Sequence, residues 1–296
     1  MIKLKTKFII NPIAGTGKQI EIERNISSLV DKNIFNYDIE YTKKANHATE
    51  ISSNAVKENY DLIVAVGGDG TVSECASALI GSQTALAIVP CGSGNGFAYH
   101  FNIKREVTDA LIQLNKNKIR YIDSCTANNL SFVNVSGIGF DAHIASLFAN
   151  TKKRGFFSYI KLTIKELFYK PKKYKIHYEN KIREVDAFAI VFANASQYGN
   201  DAKIAPLAKV DDGLIDFVII KSFPNWQVPL FLLDVLRGKT HLNKNVEIIK
   251  TKKMLIESDL PKVHLDGEIK NLNNPIDIRI HNQNFKIFVP YEKEKK

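Results

Sequence analysis

Apolar and polar positions alternate along the first 125 residues with two different periods. "KFIIN" (7–11), "YDIEYT" (37–42), "DLIVAV" (61–66), "ALAIVP" (85–90) and "RYIDSC" (120–125) are short apolar runs bounded by turn residues, and they predict strands. The stretches between them carry helical spacing and predict helices over about 17–31, 46–59, from Thr71, and 106–116. Strand–helix alternation with short turns predicts a parallel sheet covered on both faces. Ligands of such sheets sit beyond the carboxyl ends of the strands.

The remainder has another rhythm. "LSFVNVSGIGF", "KYKIHYE", "AFAIVFAN", "LIDFVIIK", "NVEIIKTKKMLIES", "KVHLDGEI", "IDIRIH" and "FKIFVP" are strand patterns with few helices between them, and predict a mostly antiparallel domain. Helical interruptions stand out at about 155–169 and 226–237, and His143, after "GFDA", is expected on a helix surface. The fold class is therefore α/β, with a Rossmann-like parallel-sheet domain over 1–122 and a β-rich domain over 123–284. The tail from about 285 to 296 is expected to pack back on the first domain.

With 296 residues, 45% of them hydrophobic, the chain can bury a large core without disulfides or structural metals. Cys75, Cys91 and Cys125 are odd in number and contain no CxxC pair, which points to reduced thiols in a cytosolic setting and away from zinc. The longest uncharged stretch, Cys75 to Ile103, is broken by Gly81, Pro90, Gly92, Gly94 and Gly96, so it reads as buried structure with turns and not as a membrane span. The net charge of +10 is uneven: residues 152–183 hold 11 Lys or Arg against Glu166 and Glu179. Such a region is either a solvated face or a surface for a polyanionic partner. No nucleic-acid motif accompanies it.

Three glycine-bearing loops follow three of the early strands: "NPIAGTGK", "GGDGT" and "PCGSGNG". A helix N-terminus collects unpaired N–H donors, and glycine lets phosphate oxygens come close to the backbone. Three such loops on one edge of a sheet predict a phosphate site. Asp69 would repel a bare phosphate, so its expected partner is a divalent cation or a hydroxyl proton. Thr71 and Glu74 have the spacing of a capping box, which predicts a local helix start. A Walker A loop is excluded by Pro12 and Gln19, and "GSGNGF" has Phe97 where GxGxxG needs glycine. "GIGFDA" (137–142) fits only the looser GxGxxA form.

In order, "NPIAG", "VGGDGTVSE", "VPCGSGNGFA", "GIGFDA", "IAPLAKVDDGLIDFVII" and "LDGE" resemble bacterial lipid kinases of the diacylglycerol kinase catalytic family, whose superfamily includes sphingosine kinases. The resemblance runs from about Lys3 to Pro290. It implies an ATP site in the cleft between an α/β domain and a β-sandwich, with Mg²⁺ as the second cofactor. ATP-site residues implied in this way are Asn11, Pro12, Ala14, Gly15, Thr42, Gly67, Gly68, Asp69, Gly70, Thr71, Glu74, Gly92, Ser93 and Asn95. Glu268 is implied as general base towards a lipid hydroxyl, with Asp266 beside it and Asp69 near the phosphates. Lys209, Asp212 and Leu214 resemble the segment that holds a structural Mg²⁺ in some members; an acidic turn explains the same residues. Gly96 stands where diacylglycerol-specific members usually carry Asp, and the Ser-Gly-Asn spelling is closer to sphingosine kinases.

The reading is thus an ATP-dependent kinase acting on a membrane lipid, diacylglycerol-like or sphingoid-like. The alternatives are an NAD kinase-like enzyme and a nucleotide-binding module without turnover. The expected location is the cytoplasm, peripheral to the inner face of the membrane. The anionic membrane surface would be met through 152–183, nucleic acid is not an expected partner, and a homodimer is left open.

Overall fold

The computed structural model describes residues 3–14, 19–149, 151, 156–166, 169–259 and 262–290. The chain forms two compact units, Met1–Ile122 with Gln283–Lys296, and Asp123–Asn282.

The first unit alternates β1 (Leu4–Ile10), α1 (Gln19–Leu29), β2 (Phe35–Tyr41), α2 (His47–Lys57), β3 (Leu62–Gly67), α3 (Asp69–Leu79), β4 (Ala85–Pro90), α4 (Gly96–His100) and α5 (Val107–Leu114). Strand β1 pairs in parallel with β2 and β3, and β3 with β4, with Leu62 opposite Ala85 and Gly67 opposite Pro90. Every residue of β3 and β4 is buried, as expected of parallel strands covered on both faces. Strand β2, at the edge, keeps most of its residues partly exposed. Helix α2 covers the sheet with Ala48, Ile51 and Ala55, and α5 buries Ala110, Leu111 and Leu114. Each large aliphatic side chain so buried stabilises the unit by about 1.5–3 kcal/mol.

Strand β5 (Asn117–Ala127) carries the chain out of the first unit. The second unit contains β6 (Leu130–Phe132), β7 (Val135–Gly139), α6 (Phe140–Ala149), α7 (Phe156–Lys165), β8 (Lys172–Tyr178), β9 (Lys181–Ala193), β10 (Ile215–Lys221), α8 (Val228–Leu236), β11 (Val246–Thr251), β12 (Lys253–Glu257), β13 (Lys262–Leu265), β14 (Glu268–Asn271) and the first part of β15 (Ile276–Pro290), as far as Asn282. Strand β9 is its centre, pairing antiparallel with β7, β8 and β10. Its alternate residues go to opposite cores: Ile190 and Phe192 to one, Ala189, Val191 and Ala193 to the other. Met254, Ile256, Ile276 and Ile278 of β12 and β15 cover the first core, and Val235 of α8 covers the second. The end of β15 returns to the first unit, with Ile287 parallel to Leu86 of β4.

The parallel and antiparallel halves agree with the pattern in the sequence. Helix α4 lies where no helix is expected, and α6 carries His143 on a helix as expected. The two patterns "IDIRIH" and "FKIFVP" form one strand, because the polar residues between them contain no Gly or Pro to end it; Gln283, with a left-handed backbone at φ 45°, marks the irregularity where they join. Among the described residues, no helix is long and apolar enough to cross a membrane.

Candidate active site

Parallel strands put their following loops on one edge, and the first unit does this with Asn11, Thr42, Gly67–Thr71 and Gly92–Asn95. The rim is tied laterally. Thr42 N–H donates to the Ile10 carbonyl at 2.9 Å, Asn11 N–H to Val66 at 3.0 Å, and Cys91 N–H to Gly67 at 2.8 Å. The Asn11 amide donates to Thr71 Oγ1 at 3.0 Å and accepts from Ile13 N–H at 3.1 Å, fastening the first loop to α3. Ala14 N–H closes the same turn on the Asn11 carbonyl. Pro12 is half-buried beside it and Ser93 is exposed in the third loop, while Gly15 lies outside the described residues.

Asp69 has a defined task in this rim. Its Oδ2 accepts the Asn95 amide at 2.7 Å, and its carboxylate also takes the amides of Gly96, Phe97 and its own residue. Burial pushes this carboxyl up from its ordinary value, opposed by those amides, which favour the ionised form. The third loop thus already holds a carboxyl group, that of Asp69. Asn95 completes the lock from a left-handed backbone conformation: Nδ2 donates to the Gly92 carbonyl and Oδ1 accepts the Gly92 amide.

The glycines differ in what they do. A Cβ on Gly92 would lie 2.6 Å from Gly68 Cα, and one on Gly67 would lie 2.5 Å from Thr71 Oγ1. Gly92 lets the second and third loops touch and Gly67 lets Thr71 fold back against the end of β3, packing reasons the sequence reading did not separate from ligand contact. Gly70 is different: it is exposed, and a Cβ there would meet nothing within 4 Å. It sits in the first turn of α3, where the helix leaves amide donors unpaired. An anion can approach the backbone there.

The capping box does not form. Helix α3 begins at Asp69 with Gly68 as N-cap and no side-chain cap. Thr71 accepts from Asn11 instead, and Glu74 Oε2 accepts the Ala48 amide at 3.1 Å, at the start of α2. Starting the helix at Asp69 places Thr71 within its first turn, so Glu74 is free to bridge two helices.

In the second unit, Asp266 and Gly267 form the turn between β13 and β14, both with positive φ as an Asp-Gly hairpin turn requires. Asp266 Oδ2 accepts the Val133 amide and Oδ1 the Asn134 amide, each at 2.9 Å, so its carboxylate fixes the turn to the segment before β7. Glu268 follows, half-exposed, with Lys270 Nζ at 3.0 Å. Of the pair, Glu268 has the accessible carboxylate and Asp266 the structural one.

Beneath this turn lies a network that no local motif announces. His264, on β13, takes the Gly267 amide on Nδ1 at 3.3 Å, so its proton resides on Nε2 and is donated to Asp141 Oδ2 at 2.7 Å. Tyr198 donates to the same oxygen at 2.7 Å. Gly137 permits this: a Cβ there would fall 2.4 Å from Asp141 Oδ2. "GIGFDA" is therefore the turn from β7 into α6, packed against its own aspartate. Asp141 and Tyr198 also line an apolar pocket of about 100 Å³ between α6, α8 and the β9–β10 face, with Phe140, Ile144, Phe231 and Val235 in its walls.

Magnesium takes oxygen ligands. Among the described residues, no group of three or more His, Cys, Asp or Glu is placed to hold a metal ion. In the 209–214 segment, Asp212 Oδ1 accepts the Leu214 amide at 3.0 Å, which leaves carbonyls and one carboxylate oxygen for a cation. Asp216 Oδ2, two residues beyond, is buried without a hydrogen-bond partner, while Oδ1 pairs with Lys250 at 3.0 Å. An oxygen set of that kind fits a hard cation. The cysteines are not nucleophiles: burial pushes Cys91 up to about 11 and Cys75 up to about 12.

Residues 5–127 match the family model described as "Diacylglycerol kinase catalytic domain", and residues 134–289 match "YegS C-terminal NAD kinase beta sandwich-like domain". The chain belongs to this kinase family. It is 30% identical over 240 residues to a "Probable lipid kinase YegS-like" of Chromohalobacter salexigens, covering 78% of this chain and 76% of that one. It is 27% identical over 244 residues to a "Diacylglycerol kinase" of Bacillus subtilis, covering 77% of each. Among solved structures, "A putative diacylglycerol kinase from Bacillus anthracis str. Sterne" is similar with a TM-score of 0.81 at 25% identity, covering 99% of both chains.

Proposed function

We propose that this chain is an ATP-dependent lipid kinase that phosphorylates a hydroxyl of a membrane lipid. The observation that carries the reading is the apolar pocket of the second unit, with Asp141 in its wall and a hydrogen-bonded path through His264 to the turn bearing Glu268. The pocket, about 100 Å³, is walled mainly by apolar side chains and suits apolar matter. A lipid kinase needs such a wall for alkyl chain; a kinase of a polar dinucleotide does not.

In this reading the ATP phosphates lie against the first turn of α3 at Gly70 and Thr71. Asp69 holds the third loop in place for them through its amide bonds, and Asn11 does so for the first. Magnesium supplies charge neutralisation on the phosphates, and the set Lys209, Asp212 and Leu214 is proposed to hold a second ion. Glu268 accepts the proton of the lipid hydroxyl, kept available by the Asp266 turn. Phosphoryl transfer asks the protein chiefly for positioning, charge and a proton acceptor, and these residues supply them. The basic run over 152–183 is proposed to meet anionic headgroups: Lys161, Lys165, Lys170, Lys172 and Lys173 are exposed, whereas Lys175 and Arg183 are in ion pairs.

Purified protein with labelled ATP, Mg²⁺ and total extracted lipid is expected to give a labelled lipid on thin-layer separation. Glu268→Gln is expected to abolish that product while leaving ATP binding and the melting temperature unchanged. Labelled NADP from NAD, with no labelled lipid, would overturn the proposal in favour of the NAD kinase-like alternative.

A further inference from the structure

Helix α8 reads Val-Pro-Leu-Phe-Leu-Leu-Asp-Val-Leu, with Asp234 as its sole polar residue, and Asp234 is occupied by the Asn243 amide at 2.7 Å. A helix apolar on all sides is ordinarily buried. This one is not. Trp226 is 70% exposed, Leu230 55%, Leu233 39% and Leu236 39%, and Leu242 in the following turn is 68% exposed. Positions 226, 230, 233 and 237 follow helical spacing, so Trp226, Leu230 and Leu233 form one outward stripe that ends at Arg237. The opposite side of the helix, with Phe231, Leu232 and Val235, is a wall of the apolar pocket. One helix thus separates the pocket from an exposed apolar stripe, and Leu236 belongs to both.

The charges around the stripe have one sign. Arg237, Lys239 and Lys244 are exposed. The nearby acids are taken: Asp234 by Asn243, and Glu247 by Arg183 and Lys221. A tryptophan and leucines flanked by free cations match the boundary of a bilayer, with alkyl chains inside and anionic headgroups above.

We propose that the exposed face of α8, with Trp226 in the turn before it and Arg237 just after it, is the surface by which this protein seats on an anionic lipid bilayer, next to the pocket that takes the alkyl chain. The proposal rests on the lipid-kinase reading and adds an anchor distinct from the 152–183 region. Leucines enter the acyl layer, Trp226 lies at the headgroup level, and Arg237, Lys239 and Lys244 meet the phosphates.

The chain has one tryptophan, so its fluorescence reports this stripe alone. Adding vesicles of phosphatidylcholine mixed with phosphatidylglycerol is expected to shift Trp226 emission to the blue, and acyl-brominated lipid is expected to quench it. Leu230→Gln with Leu233→Gln is expected to weaken vesicle binding by roughly tenfold or more. The same variant should phosphorylate a short-chain, water-soluble lipid as the native protein does, because neither leucine lines the pocket. Unshifted emission with vesicles, or equal vesicle binding by the variant, would overturn the docking surface. A dimer in sedimentation that the variant abolishes, with no response to vesicles, would assign the stripe to a second copy and overturn it too. Bilayer binding without turnover of any lipid would count against the kinase reading and leave the docking surface standing.

Discussion

His264 and Asp141 are joined across 123 residues of sequence by a hydrogen bond of 2.7 Å, and both are buried. The imidazole has no spare capacity: one nitrogen holds the carboxylate and the other receives the Gly267 amide. Replacing His264 by Phe removes both bonds and leaves the carboxylate with the Tyr198 hydroxyl as a side-chain donor. The expected result is a loss of about 1–3 kcal/mol of stability and a fall in kcat larger than any change in KM for lipid. His264→Gln, whose single amide can donate at one atom and accept at another, is expected to recover most of both. Thermal melts and steady-state kinetics on the pair of variants check this.

The two kinds of rim glycine separate experimentally. Gly92→Ala places a methyl 2.6 Å from the Gly68 backbone, so the second and third loops must part. A cost of about 1–3 kcal/mol is expected, with weakened nucleotide binding. Gly70→Ala meets nothing and replaces glycine in a helix, so it should raise stability by up to about 1 kcal/mol. If phosphate rests on that backbone, nucleotide affinity falls all the same. Calorimetry of ATP binding alongside a melt distinguishes them.

Asp69→Asn keeps the shape and removes the charge. The amides of Asn95, Gly96 and Phe97 then face a group with half the accepting capacity. Loss of charge-assisted bonds costs about 1.5–3 kcal/mol, and the third loop is expected to become accessible to amide exchange before the rest of the sheet.

Acid should weaken the second unit through Glu247. The Arg183 guanidinium, bonded at 2.7 Å, and then Lys221 hold its carboxyl below the ordinary 4.5. A depressed carboxyl contributes stability above its unfolded pKa and loses it as the pH falls through the folded one. Melting temperature is therefore expected to drop as the pH falls below the ordinary 4.5, and Glu247→Gln to flatten that part of the profile. The effect is modest because both side chains are partly exposed.

Legibility in the sequence followed physical reach. Strands β3 and β4 announce themselves because burial on both faces demands an unbroken apolar run. Helix α6 is legible only as the expected helix surface at His143, because Phe140 to Ala149 is apolar with little polar rhythm and its first turn is the tail of "GIGFDA". The spacing of Thr71 and Glu74 suggests a cap, yet Glu74 serves a neighbouring helix, a choice made by tertiary contact. Asp266 and Glu268 stand out as a turn, but which of them is tied to the backbone depends on residues 133 and 134, far away in the chain. Asp141, His264 and Tyr198 come from three separate elements and leave no pattern within any window.

The second unit is threaded into the first: the chain leaves through β5 and comes home through β15, beside β4. On the ribosome, β4 must therefore wait for its outer neighbour until the second unit and the end of β15 have been made. The amino-terminal sheet is finished last, and a nascent or truncated chain would present the open side of β4 to chaperones and to other chains.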